Sequence, residues 1–189
     1  MPKASEEILP ITPPRVLGID PGLNITGYGV VEPAPGGPKL CEAGVVRGRD
    51  KKSLTNRVHE IHEGVSELIE SLRPSVMALE DLYSHYERPR TAILMGHARG
   101  VICLAAAQAG IPVVHYAATR IKKVLTGSGR APKSQMQRVV QEEFKLAQAL
   151  EPPDVADALA IALCHFYLHP EWVQLCHAQS GSARKVSRG

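Results

Sequence analysis

The sequence lacks several features that membrane-spanning, secreted and zinc-binding proteins have. No apolar run is long enough to span a bilayer. The first residues, Met1 to Glu7, hold no apolar core and carry acids, which argues against a secretory signal peptide. The four cysteines are scattered without a C-x-x-C spacing, so a zinc site is disfavoured and a reducing compartment is favoured. We therefore expect a cytoplasmic protein.

Acidic residues are missing from one long stretch, Arg88 to Gln141, although the whole chain carries 22 basic and 19 acidic residues. The net charge of +3 equals the charge of three basic residues in the last eight positions, so the remaining body is formally neutral. Nine basic residues occupy the acid-free stretch: Arg88, Arg90, Arg99, Arg120, Lys122, Lys123, Arg130, Lys133 and Arg138. This polarity predicts one positive surface and an anionic partner such as nucleic acid. A solvated face that pairs with the acidic Asp50–Glu87 region is the alternative.

The composition that is present fits one globular domain. A length of 189 residues is enough for a single core, and the hydrophobic fraction of 44% and charged fraction of 22% are ordinary for a globular protein. We expect a loose leader over residues 1–14, a folded domain over residues 15–169, and a basic, disordered tail over residues 170–189.

The hydrophobic pattern predicts an α/β fold. Short apolar runs predict five strands, and the short links between the first three favour an antiparallel meander. The fourth strand follows a helix, so we expect it to lie parallel to the first. The predicted strands are Val16–Asp20, Gly27–Val31, Leu40–Val46, Val76–Leu79 and Val113–Tyr116, with a loop at Pro33–Pro38. The predicted helices are residues 54–72 after an N-cap at Ser53, Thr91–Ala109, Thr119–Leu125, Ser134–Leu146 and Asp154–Leu168.

The predicted helix Thr91–Ala109 is apolar nearly all round, which indicates burial on more than one side. Gly96 and Gly100 stand four residues apart, so they share a stripe without side chains where another backbone can approach. We expect a two-fold dimer to bury this surface. The alternative is that the helix forms the centre of a monomer's core.

Four carboxylates are predicted to lie at the ends of these elements. Asp20 ends the first strand, and Glu80 ends the strand expected beside it. Asp154 and Asp157 stand three apart at a helix start, so they can share one face. Each carboxylate also has a local explanation, namely a turn, a helix cap, the helix dipole or an ion pair. Gathered on one side of the sheet, they would suit Mg²⁺ or Mn²⁺, and two such ions support phosphodiester cleavage.

Five short motifs in register carry a resemblance to a known family. They are Val16–Gly22 with Gly27-Tyr28-Gly29, Leu79-Glu80-Asp81, His97-Ala98-Arg99-Gly100, Lys133-Ser134-Gln135 and the run Asp154–Ala162. In this order, from Arg15 to His169, the chain resembles the RuvC family of Holliday-junction resolvases. The resemblance implies an RNase H-like α/β fold with a five-stranded mixed sheet flanked by helices, a homodimer and a branch-migration complex as partner. It also implies two Mg²⁺ or Mn²⁺ ions held by Asp20, Glu80, Asp154 and Asp157.

The resemblance also implies contacts to DNA. Tyr83 stands three positions after the strand-end Glu, where the family places an aromatic residue, commonly Phe, near the junction centre. Lys122 and Lys133 match family lysines near the scissile strand, which position phosphates and offset transition-state charge. A partly buried loop tyrosine and ordinary surface lysines are the alternatives. The other predicted contacts come from the acid-free stretch: Arg88, Arg90, Lys123 and Arg130.

The predicted function is a structure-selective endonuclease that cuts four-way DNA junctions in paired, metal-dependent steps. Gly18–Gly22 is also similar to the first phosphate loop of actin-like ATPases and sugar kinases, but those folds need two such domains. Retention of all four carboxylates disfavours a non-catalytic nucleic-acid-binding module. An RNA-processing nuclease of the same superfamily is disfavoured by the basic, Gly-rich Lys122–Lys133 segment and the apolar helix. His165 is expected to pack within its helix, outside the site.

Overall fold

Five strands form one mixed sheet in the order β3-β2-β1-β4-β5. The computed structural model describes residues 13–47, 53–81 and 89–175. The strands are β1 Val16–Asp20, β2 Ile25–Ala34, β3 Gly37–Arg47, β4 Val76–Glu80 and β5 Val113–Tyr116. The helices are α1 Leu54–Leu72, α2 Pro89–Gln108, α3 Ala118–Thr126, α4 Lys133–Glu143 and α5 Pro153–Leu168. No helix in the described ranges is long and apolar enough to cross a membrane.

The strand pairing follows the predicted scheme. β1, β2 and β3 pair antiparallel as a meander, which confirms the expectation drawn from their short links. β4 pairs parallel with β1, with Val16 opposite Val76 and Ile19 opposite Leu79. β5 then adds parallel to β4 at the other edge. The carboxyl ends of β1, β4 and β5 therefore meet at one edge of the sheet.

The sheet separates two cores because successive strand residues face opposite sides. Val16 and Ala78 face the core under α3, α4 and α5, whereas Leu17 and Leu79 face the core under α1 and α2. This alternation places Asp20 on the α5 side, two residues beyond Gly18. The side chains that end β1 and β4 therefore leave the sheet on the same face.

Helix α5 approaches the sheet closely because the strands beneath it carry glycines. A Cβ on Gly18 would lie 2.3 Å from the carbonyl oxygen of Ala158. A Cβ on Gly27 would lie 2.1 Å from that of Asp154. No side chain fits at these distances, so the two glycines allow the backbone of α5 to rest on β1 and β2.

The β2–β3 hairpin is longer than predicted. The loop expected over Pro33–Pro38 is wrong, because Pro33 pairs with Pro38 and only Pro35 and Gly36 lie outside the strands. Gly36 takes a φ of +95°, which a turn of this tightness requires. Prolines at the end of an edge hairpin interrupt few ladder hydrogen bonds, so their presence does not stop the strands.

The helices were predicted with small errors at their ends. α1 begins after Ser53, whose Oγ accepts a hydrogen bond from the Asn56 amide at 3.3 Å, and this confirms the predicted N-cap. α4 ends three residues earlier than expected. α2 buries Ala98 and Ile102 on one face only, so burial on a second side is not found within the single chain.

The packed part of the chain continues past residue 169, beyond the predicted start of the tail. Residues 170–175 are helical, and Trp172 is only 7% exposed. Its ring lies edge-on to His165, with centroids 5.8 Å apart. His165 is itself buried, and its Nδ1 lies 2.8 Å from the Tyr116 hydroxyl oxygen. This agrees with the packing role expected for His165.

Candidate active site

Asp20 and Glu80 stand side by side at the carboxyl edge of the sheet. Asp20 is the last residue of β1 and pairs with Gly27 of β2. Glu80 is the last residue of β4, the parallel neighbour of β1. Both side chains line a cleft of about 220 Å³ beneath α3, α4 and α5. The parallel pairing therefore places these two carboxylates together, as the sequence predicts.

Helix α5 supplies the second pair of carboxylates. Asp154 lies in its first turn, and Asp157 follows one turn later and lines the cleft. The expectation that Asp154 could cap this helix is wrong, because Pro152 holds the N-cap position and Pro153 follows it. Asp154 is thus a first-turn acid next to the positive end of the helix dipole. Its side chain is free of any capping role.

The four carboxylates act on one another electrostatically. Burial is the largest influence on Asp20, and with the neighbouring charges of Asp157, Glu80 and Asp154 it raises the pKa of Asp20 to about 7. Burial and then the charge of Asp157 also raise the pKa of Glu80. Buried carboxylates whose pKa is raised by neighbouring acids form a site that a cation would stabilise.

Two lysines counter this concentration of negative charge. Lys133, the first residue of α4, donates a hydrogen bond from Nζ to Oδ2 of Asp157 at 2.9 Å. Its charge lowers the pKa of both Asp20 and Glu80. Lys122 of α3 lines the same cleft and also lowers the pKa of Glu80. The site therefore combines carboxylates with ammonium groups that can meet a phosphate.

The donor set of the cleft suits a hard divalent cation. Among the described residues, the metal-binding side chains that line the cleft are the carboxylates of Asp20, Glu80 and Asp157. Carboxylate oxygens select Mg²⁺ or Mn²⁺ over softer metals. Within residues 13–47, 53–81 and 89–175, no three His, Cys, Asp or Glu side chains are drawn close enough to enclose an ion. In this arrangement the Lys133 ammonium neutralises Asp157 directly. Metal binding would thus require the carboxylates to turn inward.

The other predicted DNA contacts fall into two groups. Lys123 and Arg130 are exposed on α3 and on the loop that follows it, and Arg90 is exposed in the first turn of α2. None of these three lines the carboxylate cleft, so the structure does not gather them with the acids. Tyr83 and Arg88 lie outside the described residues.

The sequence pattern places Arg99 on the predicted positive surface and gives it no role at the carboxylates, although Arg99 lies within one of the five family motifs. Arg99 donates hydrogen bonds to the carbonyl oxygen of Glu80 and to Nδ1 of His115. Its guanidinium lies 3.6 Å from Oδ1 of Asp81. The available signal was an arginine on a helix that packs against the strand ending in Glu80.

A mixed sheet of this order, with carboxylates at the carboxyl edge of its parallel strands, is the arrangement expected of an RNase H-like nuclease. The sequence model of the family described as "Crossover junction endodeoxyribonuclease RuvC" matches residues 16–165. The chain therefore belongs to the RuvC family of crossover junction endodeoxyribonucleases.

Individual relatives agree with this membership. The RuvC of Rhodopirellula baltica is 60% identical over 155 residues, covering 81% of this chain and 86% of the relative. The structure of Thermus thermophilus RuvC matches with a TM-score of 0.74 at 35% identity, covering 81% of this chain and 93% of that one. T. thermophilus RuvC in complex with Holliday junction substrate matches with a TM-score of 0.73 at 33% identity, covering 82% and 93%. The predictions of family, fold and enzyme class are confirmed.

Proposed function

We propose that this chain resolves four-way DNA junctions by hydrolysing phosphodiester bonds in two strands, with Asp20, Glu80, Asp154 and Asp157 as its metal-binding catalytic residues. One observation carries the proposal. Carboxylates from three separate elements converge on one cleft, although burial and mutual repulsion raise the pKa of Asp20 to about 7. A fold has no stability reason to gather such groups, so a cationic ligand is the physical explanation.

The ligand class that fits is Mg²⁺ or Mn²⁺, bound as two ions between the four carboxylates. When bound, such ions lower the pKa of an attacking water and neutralise the leaving oxygen. Asp20 belongs to the rigid sheet, and Asp157 belongs to α5, which rests directly on that sheet. These supports fix the backbone of the ligand residues, so only their side chains would have to turn toward the ions.

The lysines of the cleft would orient the scissile phosphate. Lys133 is the first residue of α4, and its ammonium nitrogen lies 2.9 Å from Oδ2 of Asp157. A phosphate that binds this ammonium would therefore lie next to the carboxylates. Lys122 of α3 lines the same cleft. Both would also offset the negative charge that develops on the phosphoryl oxygens.

The wider DNA surface would extend from the cleft along the acid-free part of the chain. Lys123, Arg130 and Arg90 are exposed and can contact phosphates, and Tyr83 and Arg88 are proposed contacts from the segment outside the described residues. The T. thermophilus relative is described in complex with Holliday junction substrate. We extend that substrate to this chain on the strength of its family membership.

The proposal includes a homodimer that pairs through α2. Ile93 is 62% exposed and Leu104 is 49% exposed on this helix. A Cβ on Gly96 or Gly100 would meet nothing within 4 Å, so their stripe is open in the single chain. A second copy would cover these apolar residues and place two clefts about a two-fold axis. Two clefts suit a four-way junction, which offers two equivalent strands.

The cellular setting follows from the substrate. A branch-migration complex is the proposed partner, because the RuvC family membership implies one. The cytoplasm is the proposed location, because relatives such as that of R. baltica are named crossover junction endodeoxyribonucleases and the proposed substrate is DNA.

A cleavage assay tests the proposed function. An end-labelled synthetic four-way junction and a linear duplex of the same sequence are incubated with the protein, with and without Mg²⁺. We expect paired nicks in the junction only, and only with metal. Asp20→Asn, Glu80→Gln, Asp154→Asn and Asp157→Asn should abolish cutting yet leave junction binding in place, because loss of negative charge does not weaken attraction to phosphate.

The matched control is Glu142→Gln, which removes an exposed acid of α4 outside the cleft and should cut normally. If two of the four cleft variants cut at near wild-type rate, the assigned site is wrong. Equal cutting of linear duplex or of RNA would instead show a nuclease of different specificity. Tight junction binding with no cutting at any metal concentration would indicate a binding module.

A further inference from the structure

Arg99 projects from α2 to the ends of two strands. Its Nη1 donates to the carbonyl oxygen of Glu80, the last residue of β4, and its Nη2 meets Nδ1 of His115 in β5. A guanidinium can only donate, so Nδ1 of His115 accepts and the ring proton resides on Nε2. Asp81 adds a carboxylate oxygen at 3.6 Å. One side chain thus joins α2, β4 and β5.

The contacts of Arg99 lie around Glu80, the residue at which β4 ends. Leu79 is opposite His115 in the β4–β5 register, so the two acceptors of Arg99 belong to neighbouring strand positions. On the backbone, the Asp81 amide donates to the Tyr116 carbonyl oxygen at 2.8 Å. The peptide bond between Glu80 and Asp81 is therefore held at both of its polar groups. Arg99 binds its carbonyl oxygen, and the Tyr116 carbonyl binds its amide. The direction in which the Glu80 side chain leaves the sheet depends on that peptide.

We propose that Arg99 is a positioning residue that aims the Glu80 carboxylate into the cleft from the opposite face of the sheet. The inference rests on the proposed function, in which Glu80 is a metal ligand. Replacing a group that holds a metal ligand in its orientation typically costs about tenfold to a hundredfold in metal affinity. Arg99 has the features of such a group, because it fixes the backbone of Glu80 and, among the described residues, makes no hydrogen bond or ion pair to another residue that lines the cleft.

A direct contact between Arg99 and DNA is the competing explanation for a basic residue at this position. The Arg99 side chain is only 15% exposed, and its donors face the Glu80 carbonyl, His115 and Asp81. A phosphate would have to displace these partners to reach the guanidinium. The two roles differ in salt dependence, because each lost phosphate contact lowers the salt slope of binding by about one.

The decisive experiment measures Mn²⁺ binding, junction binding and cleavage for Arg99→Met and Arg99→Lys. Mn²⁺ binding is followed by the loss of the free-ion electron paramagnetic resonance signal in the absence of DNA. We expect Arg99→Met to weaken Mn²⁺ binding and single-turnover cleavage by about tenfold to a hundredfold. The junction affinity and its salt slope should stay at wild-type values. Arg99→Lys should recover part of the loss, because an ammonium reaches one acceptor but not two.

His115→Leu keeps the test falsifiable if Arg99→Met does not fold. His115 is exposed on β5, so its replacement removes one acceptor of Arg99 without opening a cavity. We expect a smaller loss of Mn²⁺ affinity in the same direction. The matched control is Arg73→Met, an exposed arginine after α1 at the other edge of the sheet, which should change none of the three measurements.

Two results would overturn the inference. One is a wild-type Mn²⁺ affinity in both Arg99→Met and His115→Leu. The other is a salt slope that falls by about one in Arg99→Met, which would make Arg99 a phosphate contact. Glu80→Gln is measured in parallel to separate this inference from the proposed function. If Glu80→Gln binds Mn²⁺ and cuts normally, the assigned site fails, whereas an inactive Glu80→Gln beside a normal Arg99→Met refutes only the positioning role.

Discussion

The Asp154 carbonyl oxygen lies where a side chain on Gly27 would be, only 2.1 Å from the position of a Cβ on that residue. Gly27 is also the partner of Asp20 in the β1–β2 register. The first turn of α5 therefore packs against Gly27, the β2 residue that pairs with Asp20. This contact explains how carboxylates distant in sequence reach the same cleft.

Gly27→Ala should consequently impair cleavage through geometry alone. A methyl group at this position forces the first turn of α5 away from β2, and a displacement of about 1 Å at a catalytic group can reduce the rate about a hundredfold. We expect a loss of that order in single-turnover cleavage, with junction affinity retained in the absence of metal.

Gly64→Ala is the control for Gly27→Ala. Its added methyl group would meet the side-chain tip of Val46 at 2.6 Å, so it crowds the fold away from the cleft. This variant should lower the melting temperature and leave the cleavage rate of the folded protein unchanged. Equal cleavage by Gly27→Ala and wild type would show that the seating of α5 does not position the acids.

Lys133→Met should shift the pH dependence of metal-activated cleavage. Burial and the neighbouring acids raise the pKa of Asp20 to about 7, although the Lys133 charge acts in the opposite direction. Removal of the ammonium raises that pKa further, and a protonated carboxyl is a poor metal ligand. At subsaturating Mg²⁺, the pH at which the cleavage rate rises should therefore be higher in the variant than in wild type.

Lys123→Met provides the comparison, because Lys123 is an exposed neighbour on α3 and does not line the cleft. It should weaken junction binding without moving the pH at which the rate rises. An unchanged acid limb in Lys133→Met, or a shift to lower pH, would contradict the proposed electrostatic role of Lys133.

Gly96→Leu and Gly100→Leu should separate the proposed dimer. In the single chain a Cβ at either position meets nothing within 4 Å, and the exchange favours the helix by about 0.8 kcal/mol in propensity. The variants should therefore fold but sediment as monomers at micromolar concentration. They should also accumulate singly nicked junctions, since two clefts would no longer act on one substrate.

Glu70→Leu tests whether an added leucine alone changes assembly, because Glu70 is exposed on α1 rather than α2. It should sediment like the wild type. A wild-type protein that is monomeric at micromolar concentration and still makes paired nicks would contradict the dimer proposal.

Glu32 should contribute stability that depends on pH. Its carboxylate, with a side chain 10% exposed, lies 3.0 Å from both Arg15 Nε and Lys39 Nζ at the edge of the sheet remote from the cleft. Burial favours a higher pKa for Glu32, but the hydrogen bonds from Lys39 and Arg15 outweigh it and lower the pKa below 4.5. The stabilisation is thus fully present above that value and is lost as pH falls through the folded-state pKa.

Glu32→Gln should lower the free energy of unfolding by about 1–3 kcal/mol at neutral pH. The deficit should shrink in urea titrations below pH 4.5 and leave cleavage by the folded protein unchanged. Glu142→Gln, which breaks only an exposed pair with Arg138, should lose no more than about 0.5 kcal/mol. A deficit for Glu32→Gln that is constant with pH would show that the charge of Glu32 is not involved.

The strands β1 and β4 and the helix α1 could be predicted from the sequence. β1 and β4 are short apolar runs that end in a carboxylate, and the intervening helix requires their parallel pairing. That pairing brings Asp20 and Glu80 together. The cap at Ser53 and the helical period after it likewise locate α1. The strands and the helix cap were predictable because each depends on neighbours within a few residues, and the pairing of β1 with β4 followed from the helix between them.

Other features depend on contacts between distant segments and escaped prediction. Trp172 looks like part of a polar tail until the rings of His165 and Phe166 are seen to cover it. Arg99 was grouped with surface basic residues, although it turns inward to the end of β4. Gly27 carries no signal of its own, because the backbone it accommodates lies more than a hundred residues away.

The most direct measurement is the position of bound metal. A crystal of the protein soaked in Mn²⁺ should show anomalous density between Asp20, Glu80 and the two α5 acids, with Lys133 withdrawn from Asp157. Soaked crystals of Asp20→Asn should lose that density. Density confined to other parts of the chain, or none at Mn²⁺ concentrations that support cleavage, would contradict the claim that these four carboxylates form the metal site.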